Sequence, residues 1–261
     1  MIVTAIPAGF SAGLFGLGGG LITVPIMFYI IIETGISTDY VMHWAVGTSF
    51  AIIIPTSLVS VFTHYQHKAI DFQLVKDFGL YVILGVIFGT FFAANLKTKP
   101  LILFFTLVVY IFAVYLLFFK EKESQIKIKM GSVTKIISAF LSGFISAPMG
   151  IGGGVMNVPI LKFFGYSIQK AIGSAAAIGL IIVIFGAIGF IISGSYLNAN
   201  LPLSFGFINI PAFFIFFPIT AFMARVGAKL SHKLEKRKLT KYFGIYLFLV
   251  GSKFFLDFLT I

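Results

Sequence analysis

Residues 16–26 read GLGGGLITVPI and residues 150–160 read GIGGGVMNVPI. Seven of the eleven positions are identical, and Thr23 against Asn157 is the main polar change. One motif written twice marks an internal repeat. Working outward, AVGTS at 45–49 answers AIGSA at 171–175, with the register shortened by eight residues, about the length of the polar stretch 33–40. Farther on, Ala69-Ile70-Asp71 answers Phe207-Ile208-Asn209. The chain therefore divides into an N-terminal repeat at 1–119, a lysine-rich linker at 120–132 and a C-terminal repeat at 133–261.

Both repeats have the composition of a bilayer protein. Of 261 residues, 59% are hydrophobic and 10% charged, against roughly 45–50% and about 25% in soluble domains. No charged residue occurs in Met1–Ile32, Leu101–Phe119, Ile136–Leu161 or Ala171–Ala224. A helical crossing needs about 20 apolar residues, so an all-α, polytopic membrane protein is expected. The apolar run from the N-terminus continues through Ile32 without a basic lead-in, which does not fit a cleavable signal peptide. The chain has no cysteine, which excludes disulfides, thiolate zinc sites and iron–sulfur clusters. Its net charge of +11 sits in short gaps between apolar runs. There the positive-inside rule and anionic headgroups account for it, and nucleic acid is not expected as a partner.

Each repeat reads as five helical elements: roughly 1–15, 20–32, 41–63, 77–96 and 100–119, then 133–148, 154–166, 170–193, 207–230 and 240–261. The first two of each set are short for independent spans, with glycine-rich sequence between them. A tight turn between ordinary helices is one reading. Three consecutive glycines, each about 1 kcal/mol worse than Ala inside a helix, favour broken or re-entrant half-helices instead. Seven of the 19 Lys and Arg residues fall between Arg225 and Lys241, which places that gap in the cytoplasm. Counting back puts 193–206 outside, Lys162, Lys170 and the linker inside, Lys97 and Lys99 outside against the rule, His64–Lys76 inside and the acidic 33–39 outside. Five elements per repeat is an odd number, so the two halves are expected in inverted topology, with both termini external.

Paired helix breaks in inverted repeats point to a transport site. Gly18, Gly19 and Gly20, with Gly152, Gly153 and Gly154, expose backbone N–H groups at the start of a following half-helix. Its unpaired N–H groups and dipole favour an anion without a buried Lys or Arg. Pro25 and Pro159 add a kink to each half-helix. Close helix packing explains any single glycine equally well; the duplicated set favours a site. Thr23, Thr48 and Ser49 near the first break, and Ser146, Asn157 and Ser174 near the second, supply hydroxyl and amide groups for an oxyanion or for helix capping. Among ionisable residues, His64 at the end of the third element suits either coupling or gating or a plain interfacial position with no such role. Arg225, just inside a charged helix end, suits either such a role or snorkelling. His43 beside Trp44 reads as an interfacial anchor, Asp71 and Asn209 as equivalent helix caps, and Lys229–Lys241 as a basic, lipid-facing loop.

No carboxylate pair, metal-ligand cluster, nucleophile elbow or dinucleotide fingerprint accompanies these motifs. Enzymatic activity and a cofactor are therefore not expected. The doubled G-[LI]-GGG-x3-VP-[IL] motif resembles that of the TauE/SafE sulfite exporter family. AVGTS at 45–49, THYQHKAIDF from Thr63, GFINIPA at 206–212, GAKLSHKL at 227–234 and the closing Leu249-Val250-Gly251 are also similar. The lead-in is shorter than the family's, with few residues before Pro7. The resemblance covers nearly the whole chain. It implies a multi-pass cell-membrane carrier of small anions such as sulfite, sulfonates or other organosulfur compounds. A passive anion channel and a non-transporting membrane subunit are the alternatives, and the sequence leaves the oligomeric state open, a homo-oligomer included.

Overall fold

Inside hydrocarbon only a helix or a closed barrel satisfies every backbone N–H and C=O, and the apolar segments here fold as helices. A computed structural model describes residues 2–15, 19–33, 38–118, 131–197, 202–231 and 236–260. The N-terminal half carries α1 (Ile2–Phe15), α2 (Gly20–Ile32), α3 (Val41–Gln66), α4 (Phe72–Ala94) and α5 (Thr98–Phe118). The C-terminal half carries α6 (Ser132–Met149), α7 (Gly154–Phe163), α8 (Ile168–Tyr196), α9 (Ile210–Ser231) and α10 (Lys236–Thr260). Each of the ten expected segments is a helix. A 3-10 turn, Thr38–Tyr40, leads into α3. A small antiparallel hairpin of β1 (Ser204–Phe205) and β2 (Ile208–Asn209) leads into α9, with Ser204 opposite Asn209. Residues 120–130 of the expected linker, and Gly18, lie outside the described residues.

Among the described residues, seven helices are long and apolar enough to cross a bilayer: α3, α4, α5, α6, α8, α9 and α10. The chain is a multi-pass membrane protein. α6, expected as a half-helix, is 18 residues long and belongs to this set. At 13 and 10 residues, α2 and α7 span about 20 and 15 Å, well short of the roughly 30 Å hydrocarbon core. Large apolar side chains such as Phe62, Phe91, Ile111, Phe118, Phe214 and Phe222 face outward, as acyl chains require. Fully buried Phe28, Phe50, Phe78, Phe105, Phe190 and Phe216 fill the interior.

Exchanging the two halves maps the helix packing onto itself. α1 packs on α9 as α6 does on α4; α2 packs on α3 as α7 does on α8; α3 packs on α9 as α8 does on α4. α3 and α8, and α5 and α10, pair across the centre. Near the start of α3, Gly47 lies so close to the Phe207 carbonyl that a Cβ would overlap it, and Phe190 from the end of α8 is adjacent. Near the start of α8, Gly173 meets the Ala69 carbonyl, just past the end of α3, in the same way. α3 and α8 are therefore antiparallel, and the matched contacts sit about 30 Å or more apart along helices of 26 and 29 residues.

One end of the bundle gathers the Lys97–Asp39 ion pair, 3.4 Å, and the 204–209 hairpin. The opposite end gathers Asp71, the Asp77–Lys135 ion pair at 2.7 Å, and the turn before α8. In that turn burial first, then the Asp71 carboxylate, raises the Tyr166 phenol above its ordinary value, and Lys135 and Asp77 also act on it. Lys135 opens α6 and Tyr166 follows α7, so this helix pair enters and returns at the same end. Its glycine tip reaches Val46 and Ser49 of α3, within about two turns of the far end.

Candidate functional site

From Gly19 onward, the first break is held by its own hydrogen bonds. Gly19 caps α2 in the left-handed region, φ 77°, a conformation natural to glycine. Its carbonyl accepts the N–H groups of Ile22 at 3.0 Å and Thr23 at 2.9 Å. The Thr23 hydroxyl donates to the same carbonyl at 3.0 Å. Thr23 is thus turned back onto its own helix.

The second break differs from the first in backbone as well as in side chains: Gly153, the counterpart of Gly19, is right-handed at φ −59°. Gly150 ends α6 at φ 63°, and Asn157 N–H donates to Gly153 O at 2.8 Å. The Asn157 side chain is buried, and neither Oδ1 nor Nδ2 has a hydrogen-bond partner. Nδ2 lies against Gly153, where a Cβ would strike it. Ser146, on the last turns of α6, is likewise buried with its hydroxyl unpartnered. An unpartnered buried amide costs about 1–3 kcal/mol in proteins, so this arrangement is one that a ligand would complete. The donors present are an amide N–H₂, a hydroxyl and the first N–H groups of α7, with no cation among them. They suit an acceptor-rich, negatively charged group.

The two breaks touch. A Cβ on Gly20 would overlap the Gly150 carbonyl and come within 2.7 Å of Ile151 Cα. Ser49 Oγ donates to Gly150 O at 3.2 Å, tying α3 to the same point. Gly19, Gly20, Thr23, Ser49, Gly150 and the residues through Asn157 therefore form one region where both halves meet.

The family model described as Sulfite exporter TauE/SafE matches residues 1–254. The chain belongs to the TauE/SafE sulfite exporter family. A probable membrane transporter protein of Haemophilus influenzae is 34% identical, over 95% of this chain and 94% of its own length. Relatives with the same description are 27% identical in Methanocaldococcus jannaschii (92% and 88% covered) and 22% in Bacillus subtilis (97% and 95%). No solved structure matches the chain. This is a family of membrane transporters rather than of enzymes.

In this TauE/SafE member the remaining candidates lie away from the breaks. Thr48 Oγ1 accepts Asn209 N–H at 3.0 Å and Ser174 Oγ accepts Asp71 N–H at 2.9 Å, a matched pair that docks each half's connecting turn onto the other half. Asp71 and Asn209 cap their helices as expected, accepting Leu74 N–H at 3.1 Å and Ala212 N–H at 2.9 Å. His64 sits half-buried at the end of α3, and Arg225 is exposed on α9; the structure brings neither to the breaks. His43 and Trp44 are not interfacial anchors. Both are buried; the His43 ring packs 5.0 Å from Phe207 with Nε2 2.8 Å from Ala93 O, and Trp44 Nε1 donates to Gly206 O at 3.3 Å. The hairpin folds over them, which alternating polarity in the sequence gave no reason to expect. Among the described residues no group of three or more His, Asp or Glu could hold a metal.

Sequence reasoning passed over Asp257. Its carboxylate is mostly buried on α10 and receives Tyr29 Oη from α2 at 2.5 Å and Lys253 Nζ at 2.5 Å. This joins the α2 half-helix to α10. The i,i+4 spacing of Lys253 and Asp257 inside an apolar helix was the available signal.

Proposed function

We propose that this protein is a secondary transporter of a small oxyanion, sulfite or an organosulfonate, exporting it across the cell membrane by alternating access. The anion binds at the second break, accepting hydrogen bonds from Asn157 Nδ2, Ser146 Oγ and the first N–H groups of α7. The observation that carries this reading is the buried, unpartnered Asn157 amide at the head of a half-helix. Backbone dipoles and neutral donors hold the charge without a fixed cation, so the anion can also leave. The matched, antiparallel contacts at Gly47 and Gly173 support two inverted-topology repeats that rock against each other. Lys97, an exception to the positive-inside rule, is offset by its pairing with Asp39.

The test is flux of sulfite and thiosulfate in vesicles of purified protein, across imposed pH gradients. Saturable, gradient-sensitive flux is expected. Conductance that does not saturate would replace the carrier with a passive channel. Undiminished flux in the double variant Gly19→Val, Gly153→Val would sink the binding site.

A further inference from the structure

The α6 helix carries three serines at successive i,i+4 positions, Ser138, Ser142 and Ser146, with Lys135 one turn before the first. Residues at this spacing share one helix face. Ser138 is half-buried near the Lys135 end, whereas Ser142 and Ser146 are wholly buried, each with its hydroxyl unpartnered. This is unusual in a helix, because a serine can donate to its own i−4 carbonyl, as Ser195 does to Ile191 O at 2.9 Å and Ser252 to Phe248 O at 2.9 Å. The line ends at the second break, where the unpartnered Asn157 amide is an independent sign of a ligand. At its other end Lys135 Nζ is 2.7 Å from Asp77, with both side chains about 30% exposed (31% and 30%).

The first half has no such line. By the spacing of the duplicated motif, Ser138 corresponds to Thr4, while Ser142 and Ser146 correspond to Ala8 and Ala12 on α1, and both alanines are buried. Packing alone is met by alanine at these positions, so the serines add hydroxyls that packing does not require. The opposite face of α6 holds Phe140 and Phe144 against Phe88 and Phe92 of α4, and Ile137 and Leu141 are exposed at 53% and 43%.

We infer that Ser146, Ser142 and Ser138 form an anion path from the second break to the Lys135–Asp77 end. This rests on the anion-transport reading and adds to it the route and the side from which the site is reached. Each hydroxyl offers a donor to an anion passing one helical turn at a time, about 6 Å per step. Lys135 stands at the mouth, where an arriving anion competes with Asp77 for its charge. Because the first half has alanines at the two buried positions, Ala8 and Ala12, the route is single and faces one side only.

The chain has no cysteine of its own, so single Ser→Cys variants at 138, 142 and 146 can be read without background. The probe is the anionic thiol reagent methanethiosulfonate ethylsulfonate, applied from each face of oriented vesicles. Ile137→Cys and Leu141→Cys serve as lipid-facing controls. Thiols on a watered anion path ionise and react, whereas thiols in lipid do not. Cysteines at 142 and 146 are therefore expected to react about tenfold faster than the controls, and only from the Lys135 side. Rates at 142 and 146 no faster than the controls from both faces would overturn the path. Labelling from the opposite face alone would overturn its direction. The labelling needs no substrate, so it stands apart from the transport reading. Labelling that sulfite fails to slow upholds the path and counts against sulfite as the cargo. Where wild-type flux is measurable, Ser142→Ala with Ser146→Ala is expected to lower it several-fold at unchanged thermal stability. Flux equal to wild type in that variant would also overturn the path.

Discussion

The two glycine-rich breaks share seven of eleven residues, yet their polar side chains end in opposite states. At the first, Thr23 donates to Gly19 O and the line behind it is Ala8 and Ala12. At the second, Asn157 and Ser146 are buried without partners, and Ser142 continues the line. Elsewhere the halves agree closely: Thr48 and Ser174 accept matched N–H groups, Asp71 and Asn209 cap matched helices, and Gly47 and Gly173 admit matched carbonyls. The lesson is a division of labour. Positions that hold the halves together are kept in both copies; at the described residues of the breaks, donors are left open in the second alone.

The sharpest way to break this comparison is to exchange the two polar positions' roles. Asn157→Leu removes donors that a bound anion would use. At about 1.5–3 kcal/mol for a hydrogen bond to a charged group, sulfite flux should fall roughly 10- to 100-fold. Thermal stability should hold or rise, since no partner is stranded. Thr23→Val should do the reverse, lowering stability by about 1 kcal/mol and leaving flux within about twofold. Equal losses of flux from both substitutions would end the division of labour.

Gly47→Ala and Gly173→Ala each drive a Cβ into a carbonyl oxygen. Overpacking of this kind costs about 1–3 kcal/mol, and the two thermal shifts should match. A large shift from one alone would show the halves to be less alike than their contacts. Next in size, Asp71→Ala and Asn209→Ala should each lower stability by about 1 kcal/mol through loss of a cap, read as paired shifts in the melting midpoint. Smallest of all, Lys97→Ala removes an exposed pair with Asp39. Surface pairs contribute about 0–1 kcal/mol, so melting should hardly move, and a clear drop would mean this end is more tightly organised than the pair's exposure suggests.

The ten helices were legible because hydropathy and glycine spacing act locally. The helix ends at Asp71 and Asn209 were legible for the same reason, since a cap bonds within three residues. His43 was misread because its burial depends on a hairpin more than 160 residues later in the chain, from which Phe207 covers it. Thr48 and Ser174 read as ligand contacts or helix caps; the structure adds that each hydroxyl oxygen accepts a backbone N–H of the other half, across a distance that no local pattern encodes. The Tyr29–Asp257 contact was hidden in the same way, with its partners 228 positions apart.

By itself the sequence determined that this chain is a helical membrane protein of two related halves, each broken at a glycine-rich motif. Hydrophobic run length, charge placement and repetition need no neighbours to be read. Only the tertiary structure decided that the breaks meet at Gly20 and Gly150, and that Thr23 is satisfied while Asn157 is not. Both polar residues occupy the same place in the motif. Whether a polar group keeps its donors free depends on which atoms the fold brings within hydrogen-bond reach, and in the second half it brings none.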